Sequence, residues 1–292
     1  MGTKAAVGAA AKRRWPSGSY SEQPMNDYQI LDTDAESIDS CSLCGNTHAG
    51  NLGRCRKASW LKDRFAEGLW YKVLRSGAFG DVGMIEYAPG EHAWQPVAAE
   101  GYLVIYCLMV SGRQHKGKGL GALLLDSCLR DAKESQCRGV AVVTSSDSFM
   151  AGNDLFLKAG FVSVDRIPPY ELLVKELDKT APDPRFTVEK AGLLERYGKG
   201  LTILAADQCP YVAKTVARIV DACKTLGLEP RVARVETAEA SRELPTPYGV
   251  FCIVYDGEVI AERPISATRF MSIMRGVSKP DATRSPGPTT SS

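Results

Sequence analysis

The chain has 292 residues, enough for two ordinary domains, with 44% hydrophobic and 24% charged residues and a formal charge of +2. That near-balance argues against a dedicated nucleic-acid binder, and no run approaches the ~18 apolar residues of a membrane span. Nine cysteines, several inside apolar segments, fit a reducing cytoplasm better than a disulfide scaffold.

Residues 1–24 carry an Arg pair without a hydrophobic stretch behind it and read as a flexible tail rather than a signal peptide. Ala6 fills the Ser/Thr position of the myristoylation pattern, so lipidation is not expected. "YQILDTD" follows as a first short strand. "RKASWLKDRFAEGL" places Trp60, Leu61, Phe65 and Leu69 at helical spacing, with Gly68 near its end. "WYKVLRSG" and "DVGMIEYAPG" read as a hairpin, and "GYLVIYCLMV" as a strand buried on both faces. "QHKGKGLGALLLDSCLRDA" is a basic glycine loop running into a helix. "GVAVVTS" is the next buried strand, "NDLFLKAGF" a short helix and "YELLVKEL" a last strand. Cys107, Cys128 and Cys252 read as small core hydrophobes.

Two prolines in charged surroundings mark residues 181–198 as a linker between a first domain at 25–180 and a second at 199–277. The second runs strand "GLTIL", helix "YVAKTVARIVDAC", strand "PRVARVET", hairpin "GVFCIVYDGEVIAE" and helix "SATRFMSIM". Asp256-Gly257 is a strong type I′ turn signal for that hairpin. Residues 278–292, rich in Pro, Ser and Thr, read as disordered.

The glycine loop is the most informative stretch. A buried strand, a basic glycine-rich turn and a helix start together make an anion site. Helix N-termini present unpaired N–H groups and partial positive charge. Glycines admit positive φ and let a ligand approach the main chain. A Walker loop fails because Gly119-Leu120-Gly121, not Ser or Thr, follows Lys118, and no acidic residue sits where a dinucleotide fold needs it.

The run Lys116-Gly117-Lys118-Gly119-Leu120-Gly121 resembles the acyl-coenzyme A loop of the GNAT acetyltransferases, with Lys where Gln or Arg is usual; Gln114–Gly119 is a second possible register. "NDLFLKAGF" resembles that family's "LYEKLGF" segment. From about Tyr28 to Gly276 the chain resembles the narrower YoaP-like group, on "WLKDRFAEGL", "IEYAPGEHAWQPV" and "DQCPY". The resemblance implies an α/β (α+β) chain: a GNAT fold with a mixed central sheet, then a small thioredoxin-like domain. It implies an acetyl-CoA-dependent N-acetyltransferase acting on a small-molecule or peptide amine. It places Leu108, Met109 and Val110 against pantetheine and Lys116, Gly117, Lys118, Gly119, Leu120 and Gly121 against pyrophosphate.

The sequence also departs from the family. Phe156 stands where the leaving-group Tyr is usual, and Phe149 where an Asn is often found upstream. Water, Tyr170 or Ser148 are the substitutes. For the base, Glu86 in the apolar strand "GMIEY" is the first candidate, since burial raises a carboxyl pKa; the alternative is that it faces solvent. Tyr106 is a second candidate. His115 reads as a phosphate contact or surface residue, and His92 as a turn residue, with a place lining the acceptor pocket as the alternative.

Cys41, Cys44, His48 and Cys55 carry a mix of thiols and imidazole that zinc would take, with a mobile loop as the alternative. Cys209 opens the helix of the second domain, the position of the redox cysteine in thioredoxin-like proteins. A helix N-terminus there would lower its pKa. Val212 replaces the second cysteine, and Thr246-Pro247 resembles that fold's cis-proline. A coenzyme-A-binding or thiol-redox module with Cys209 as its reactive thiol is therefore the alternative function.

Overall fold

The computed structural model describes residues 27–45, 50–146 and 150–277. The tails assigned to 1–24 and 278–292, and His48, Ser148 and Phe149, lie outside the described residues.

Strands β1 (Tyr28–Asp32), β2 (Trp70–Ser76), β3 (Gly80–Pro89), β5 (Tyr102–Val110), β6 (Gly139–Ser145), β7 (Val162–Ile167) and β8 (Tyr170–Glu176) form one sheet. Its order is β1-β2-β3-β5-β6-β8-β7. Only β5 and β6 run parallel, so the sheet is mixed, as expected. β4 (Val97–Ala98) stands outside it.

Helix α2 (Leu120–Glu134) covers one face. Leu124, Leu125, Cys128 and Ala132 recur at helical spacing and pack on Leu74, Ile85, Ile105 and Val142. Helix α1 (Leu52–Phe65) covers the other face through Ala58, Trp60 and Leu61, and α3 (Asp154–Lys158) buries Phe156 against Phe161 on the α2 side. The β7 strand went unread because "VSVDRI" lacks a buried face and is half to fully exposed.

The second unit has β10 (Leu201–Ala206), α5 (Val212–Thr225), β11 (Arg231–Val235), α6 (Ala238–Arg242), β12 (Phe251–Tyr255), β13 (Glu258–Ala261) and α7 (Ala267–Val277). Its sheet order is β11-β10-β12-β13. The β10–β11 pair is parallel and the other two antiparallel. Asp256 at φ +48° and Gly257 at +82° make the expected turn between β12 and β13.

The segment 181–198, expected as a linker, carries local structure. Its β9 (Arg185–Phe186) pairs with β4, its Thr187 N–H donates to Pro96 O at 2.9 Å, and Leu193 is buried at the start of α4 (Leu193–Tyr197). Apolar Phe186 and Leu193 give this segment something to bury, which a Pro count alone does not reveal. The Thr246–Pro247 bond is a correction. It is trans, and among the described residues Pro168–Pro169 alone is cis. Thr246 Oγ1 instead accepts the Tyr248 N–H and donates to Glu262 O, holding this turn by its side chain.

The two units share one core. The apolar cluster on the α1 face of the seven-stranded sheet continues without a break into the buried faces of β10 and β12. Polar ties accompany it: Tyr211 Oη donates to Cys44 O at 2.8 Å and Arg242 to Glu91 O at 2.9 Å.

Candidate active site and anion-binding groove

The parallel β5–β6 ladder covers only Tyr102–Ile105 against Gly139–Val142, whereas β5 keeps pairing with β3 to Val110. Beyond Ile105 the two parallel strands part. The outer half of β5 therefore has main-chain groups on its β6 side with no ladder partner. A β-bulge sits at the same level, because Glu86 faces Cys107 while Tyr87 faces Ile105. The extra residue, Tyr106, breaks the alternation, so Tyr106 and Cys107 both turn to the α1 face.

A groove of about 280 Å³ runs from the parted strands to α2, lined by Leu108, Val110, His115, the Lys116–Gly121 loop and Leu155. Met109, also expected here, has its side chain on the opposite face, its Cε 3.2 Å from where a Cβ on Gly45 would stand. The strand period of two separates it from its neighbours.

Gly117 and Gly119 both have φ +73°, with open space where a Cβ would be. The glycines thus supply the left-handed backbone expected of this loop and leave its main chain open to the groove. Gly119 is the N-cap of α2 and supplies no side-chain cap, so the first-turn N–H groups face the groove unpaired. Lys116 and Lys118 are exposed beside them.

His115 is 2% exposed. Its Nδ1 lies 2.9 Å from Tyr28 Oη, Lys118 Nζ donates to the same oxygen at 3.3 Å, and its Nε2 is buried without a partner. The contributions of Tyr28 and Phe79, whose ring meets His115 edge-on at 5.2 Å, were not readable in the sequence, since Tyr28 comes from the edge strand β1 and Phe79 from the turn between β2 and β3.

On the α1 face, Tyr71, Glu86 and Cys107 are consecutive cross-strand neighbours. Glu86 is buried, not solvent-facing, and both carboxylate oxygens accept from Lys57 Nζ at 2.6 Å. Desolvation raises the Glu86 pKa and the lysine opposes this. Lys57 also lies 4.5 Å from the Trp60 ring centre. Sequence reading missed Lys57, because a lysine on an amphipathic helix ordinarily faces water. Tyr106 Oη accepts the Trp94 N–H at 2.9 Å and donates to His92 O at 3.2 Å. Burial raises its pKa, so it braces the segment after β3. His92 itself is exposed in a turn.

Three thiols meet near this row. Cys44 lies beside Cys107, and Cys209 of the second unit lies near Cys44 and Tyr248. Cys107 is partly buried and packs against the core at this row, and Cys128 and Cys252 are buried as expected. Cys209 also departs from expectation. It precedes α5 by three residues, and burial, with the nearby Cys44, pushes its pKa up to about 11. Desolvation outweighs the helix terminus here. The expected outcome is that alkylation of Cys209, followed by peptide mass spectrometry, climbs roughly tenfold per pH unit from pH 7 to 9. A plateau below pH 8 would contradict this environment.

No zinc site forms among the described residues. Cys41 Sγ donates to Ser37 O, Cys44 engages Cys107, Cys55 is exposed on α1, and no group of three His, Cys, Asp or Glu could hold a metal. No helix among the described residues is long and apolar enough to cross a membrane. Phe156 is fully buried and offers no proton, while Tyr170 is buried on the α1 face near Tyr248.

Residues 50–161 match the acetyltransferase (GNAT) family, and residues 231–271 the YoaP-like family. An uncharacterized N-acetyltransferase of Bacillus subtilis, YoaP, is 28% identical over 222 residues, covering 75% of this chain and 86% of its own. Among solved structures, YhbS from Escherichia coli in complex with CoA is 16% identical, with a TM-score of 0.38 over 57% of this chain and 93% of its own. The yncA structure from Salmonella typhimurium with its cofactor acetyl-CoA is 16% identical, with a TM-score of 0.39 over 54% and 99%.

Proposed function

We propose that this protein is an acetyl-CoA-dependent N-acetyltransferase that moves an acetyl group to an amine by direct transfer. The observation that carries the reading is the parting of β5 from β6 beside the uncapped start of α2. The GNAT match over residues 50–161 covers both features.

The groove fits a coenzyme A diphosphate. The unpaired α2 amides, Lys116, Lys118 and the left-handed glycines form an anion cradle, and His115 Nε2 is a buried polar atom without a partner. Leu108 and Val110 would flank the pantetheine arm, whose amides would find the unpaired main chain of β5. Acetyl-CoA supplies an activated acyl group. Glu86 is the carboxylate best placed to receive the amine proton, because burial has raised its pKa toward the working range. Tyr106, with both its hydrogen bonds spent on backbone, positions the wall and leaves Glu86 as the base. No residue of α3 donates to the leaving thiolate, since Phe156 has no proton to give; solvent protonation suffices for a thiol of ordinary pKa near 8.5.

The second unit reads as thioredoxin-like, which its sheet order and the placement of α5 after β10 support. It closes the α1 side of the site with Cys209, Tyr211 and Tyr248, so the acceptor is a small amine or an extended peptide end rather than a folded surface.

Release of coenzyme A thiol from acetyl-CoA over a panel of amines tests the function. Replacing Gly119 by Val forces a β-branched residue into left-handed backbone. Calorimetry should then show coenzyme A affinity falling at least about tenfold, the equivalent of about 1.4 kcal/mol. Equal affinity in both proteins would remove the loop from cofactor binding and the proposal with it.

A further inference from the structure

Cys44 and Cys107 come from segments far apart in sequence, and the fold places one over the other. Tyr71, Glu86 and Cys107 form a row across β2, β3 and β5 facing α1. The chain before α1 lies on that row: Cys44 N–H donates to Tyr71 Oη at 3.1 Å, and that hydroxyl donates to Ser42 O at 3.1 Å. Gly45 sits against Met109, two residues along β5 from Cys107. Tyr211, from the second unit, fastens the Cys44 carbonyl from the other side. These four contacts hold the Ser42–Gly45 main chain, and with it Cys44, over the row that ends in Cys107.

We infer that Cys44 and Cys107 form a dithiol centre that a small-molecule disulfide oxidises to an internal disulfide bond. Cys107, the more exposed of the pair, is the entry point. Its sulfur displaces one thiol from the reagent RS–SR and becomes a mixed disulfide. The Cys44 sulfur then attacks the Cys107 sulfur and releases the second thiol. Two cysteine thiols lose two electrons, the reagent's disulfide gains them, and the two protons leave on two RSH. Cys44, the more buried thiol, whose pKa the neighbouring Cys107 and burial raise, is the resolving partner and reacts after the first exchange. The second domain has Val212 where a neighbouring cysteine would stand, so Cys209 has no resolving thiol of its own and takes no part in the bond. The bond would pin the Ser42–Gly45 segment to the parted half of β5, beside the carboxylate of Glu86.

The test treats the full chain with 2-hydroxyethyl disulfide at pH 8.5, alkylates the remaining thiols and maps the unreduced peptides by mass spectrometry. The expected product joins the Cys44 and Cys107 peptides and disappears on adding dithiothreitol. Replacing Cys44 by Ser should abolish the cross-link and leave the reagent trapped on Cys107. Exposed Cys55 reports that the reagent is active. If Cys55 carries the reagent while Cys44 and Cys107 are both alkylated, or if Cys44 is joined to Cys209 instead, the inference is wrong. The readout needs no acetyl transfer, so it stands or falls apart from the enzymatic reading.

Discussion

Replacing Lys57 by Met is expected to cost about 3–5 kcal/mol of stability, because it strands the Glu86 carboxylate in a dry site. Both oxygens now accept from one ammonium at 2.6 Å, and both side chains are at most 2% exposed. Without the lysine, desolvation acts on Glu86 unopposed and its pKa climbs further. Between the ordinary carboxyl pKa and that raised value, the native state keeps a proton that the unfolded chain has released. Stability must then fall as pH rises through this window. Urea unfolding at several pH values would show the slope, and a variant equally stable at low and neutral pH would contradict it. A second replacement separates structure from chemistry. Lys57→Met with Glu86→Leu removes both charges and should recover most of the stability, since apolar isosteres commonly replace buried ion pairs without loss. Acetyl transfer should stay about 10²-fold down or more, the usual contribution of a positioned base. Recovery of full activity in this double variant would exclude Glu86 as the base.

How much of this was legible beforehand depended on whether the signal was local. The strands β2, β3, β5 and β6 and the helices α1, α2 and α5 announce themselves by period, because each has a continuous buried stripe or run. The anion loop was readable for the same reason: glycines, lysines and a helix start are contiguous in sequence. Glu86 was readable as a carboxylate in an apolar strand. Its partner Lys57 was not, because pairing it requires knowing which helix covers which face. The bulge at Tyr106 was hidden as well. A strand's alternation predicts Tyr106 and Cys107 on opposite faces, and only the register against β3 puts both on one. The thiol cluster is the extreme case, drawing one residue each from the β1–α1 connection, β5 and the second unit. Cys209 shows a local rule losing to a tertiary one. Proximity to a helix start lowers a thiol pKa in water, but the packing of Cys44 and Tyr248 over it removes that water.

The closest approach of α1 to the second unit is at one glycine, and substituting it has the second large effect. A Cβ at Gly53 would stand 1.8 Å from Pro210 O and 2.9 Å from the Pro210 carbonyl carbon. The obstacle is backbone, so no side-chain rotation relieves it. Gly53 lies in the first turn of α1, where an alanine would otherwise improve the helix by up to about 1 kcal/mol. Gly53→Ala therefore tests packing against propensity. Packing should win: the loop bearing Cys209 and Pro210 must move away from α1, at a net cost of about 1–3 kcal/mol typical of overpacking. The same movement pulls Tyr211 off the Cys44 carbonyl and opens the α1 face of the site. Two readings follow together, a lower unfolding midpoint and faster alkylation of Cys209 as water reaches its sulfur. Coenzyme A affinity should hardly change, because the groove lies on the far face of the sheet, along Leu108, Val110 and the start of α2. An alanine variant as stable as the parent, with Cys209 still slow to alkylate, would mean that α1 and the second unit are not in this contact in solution. The acceptor side of the site would then have to be built without the second unit.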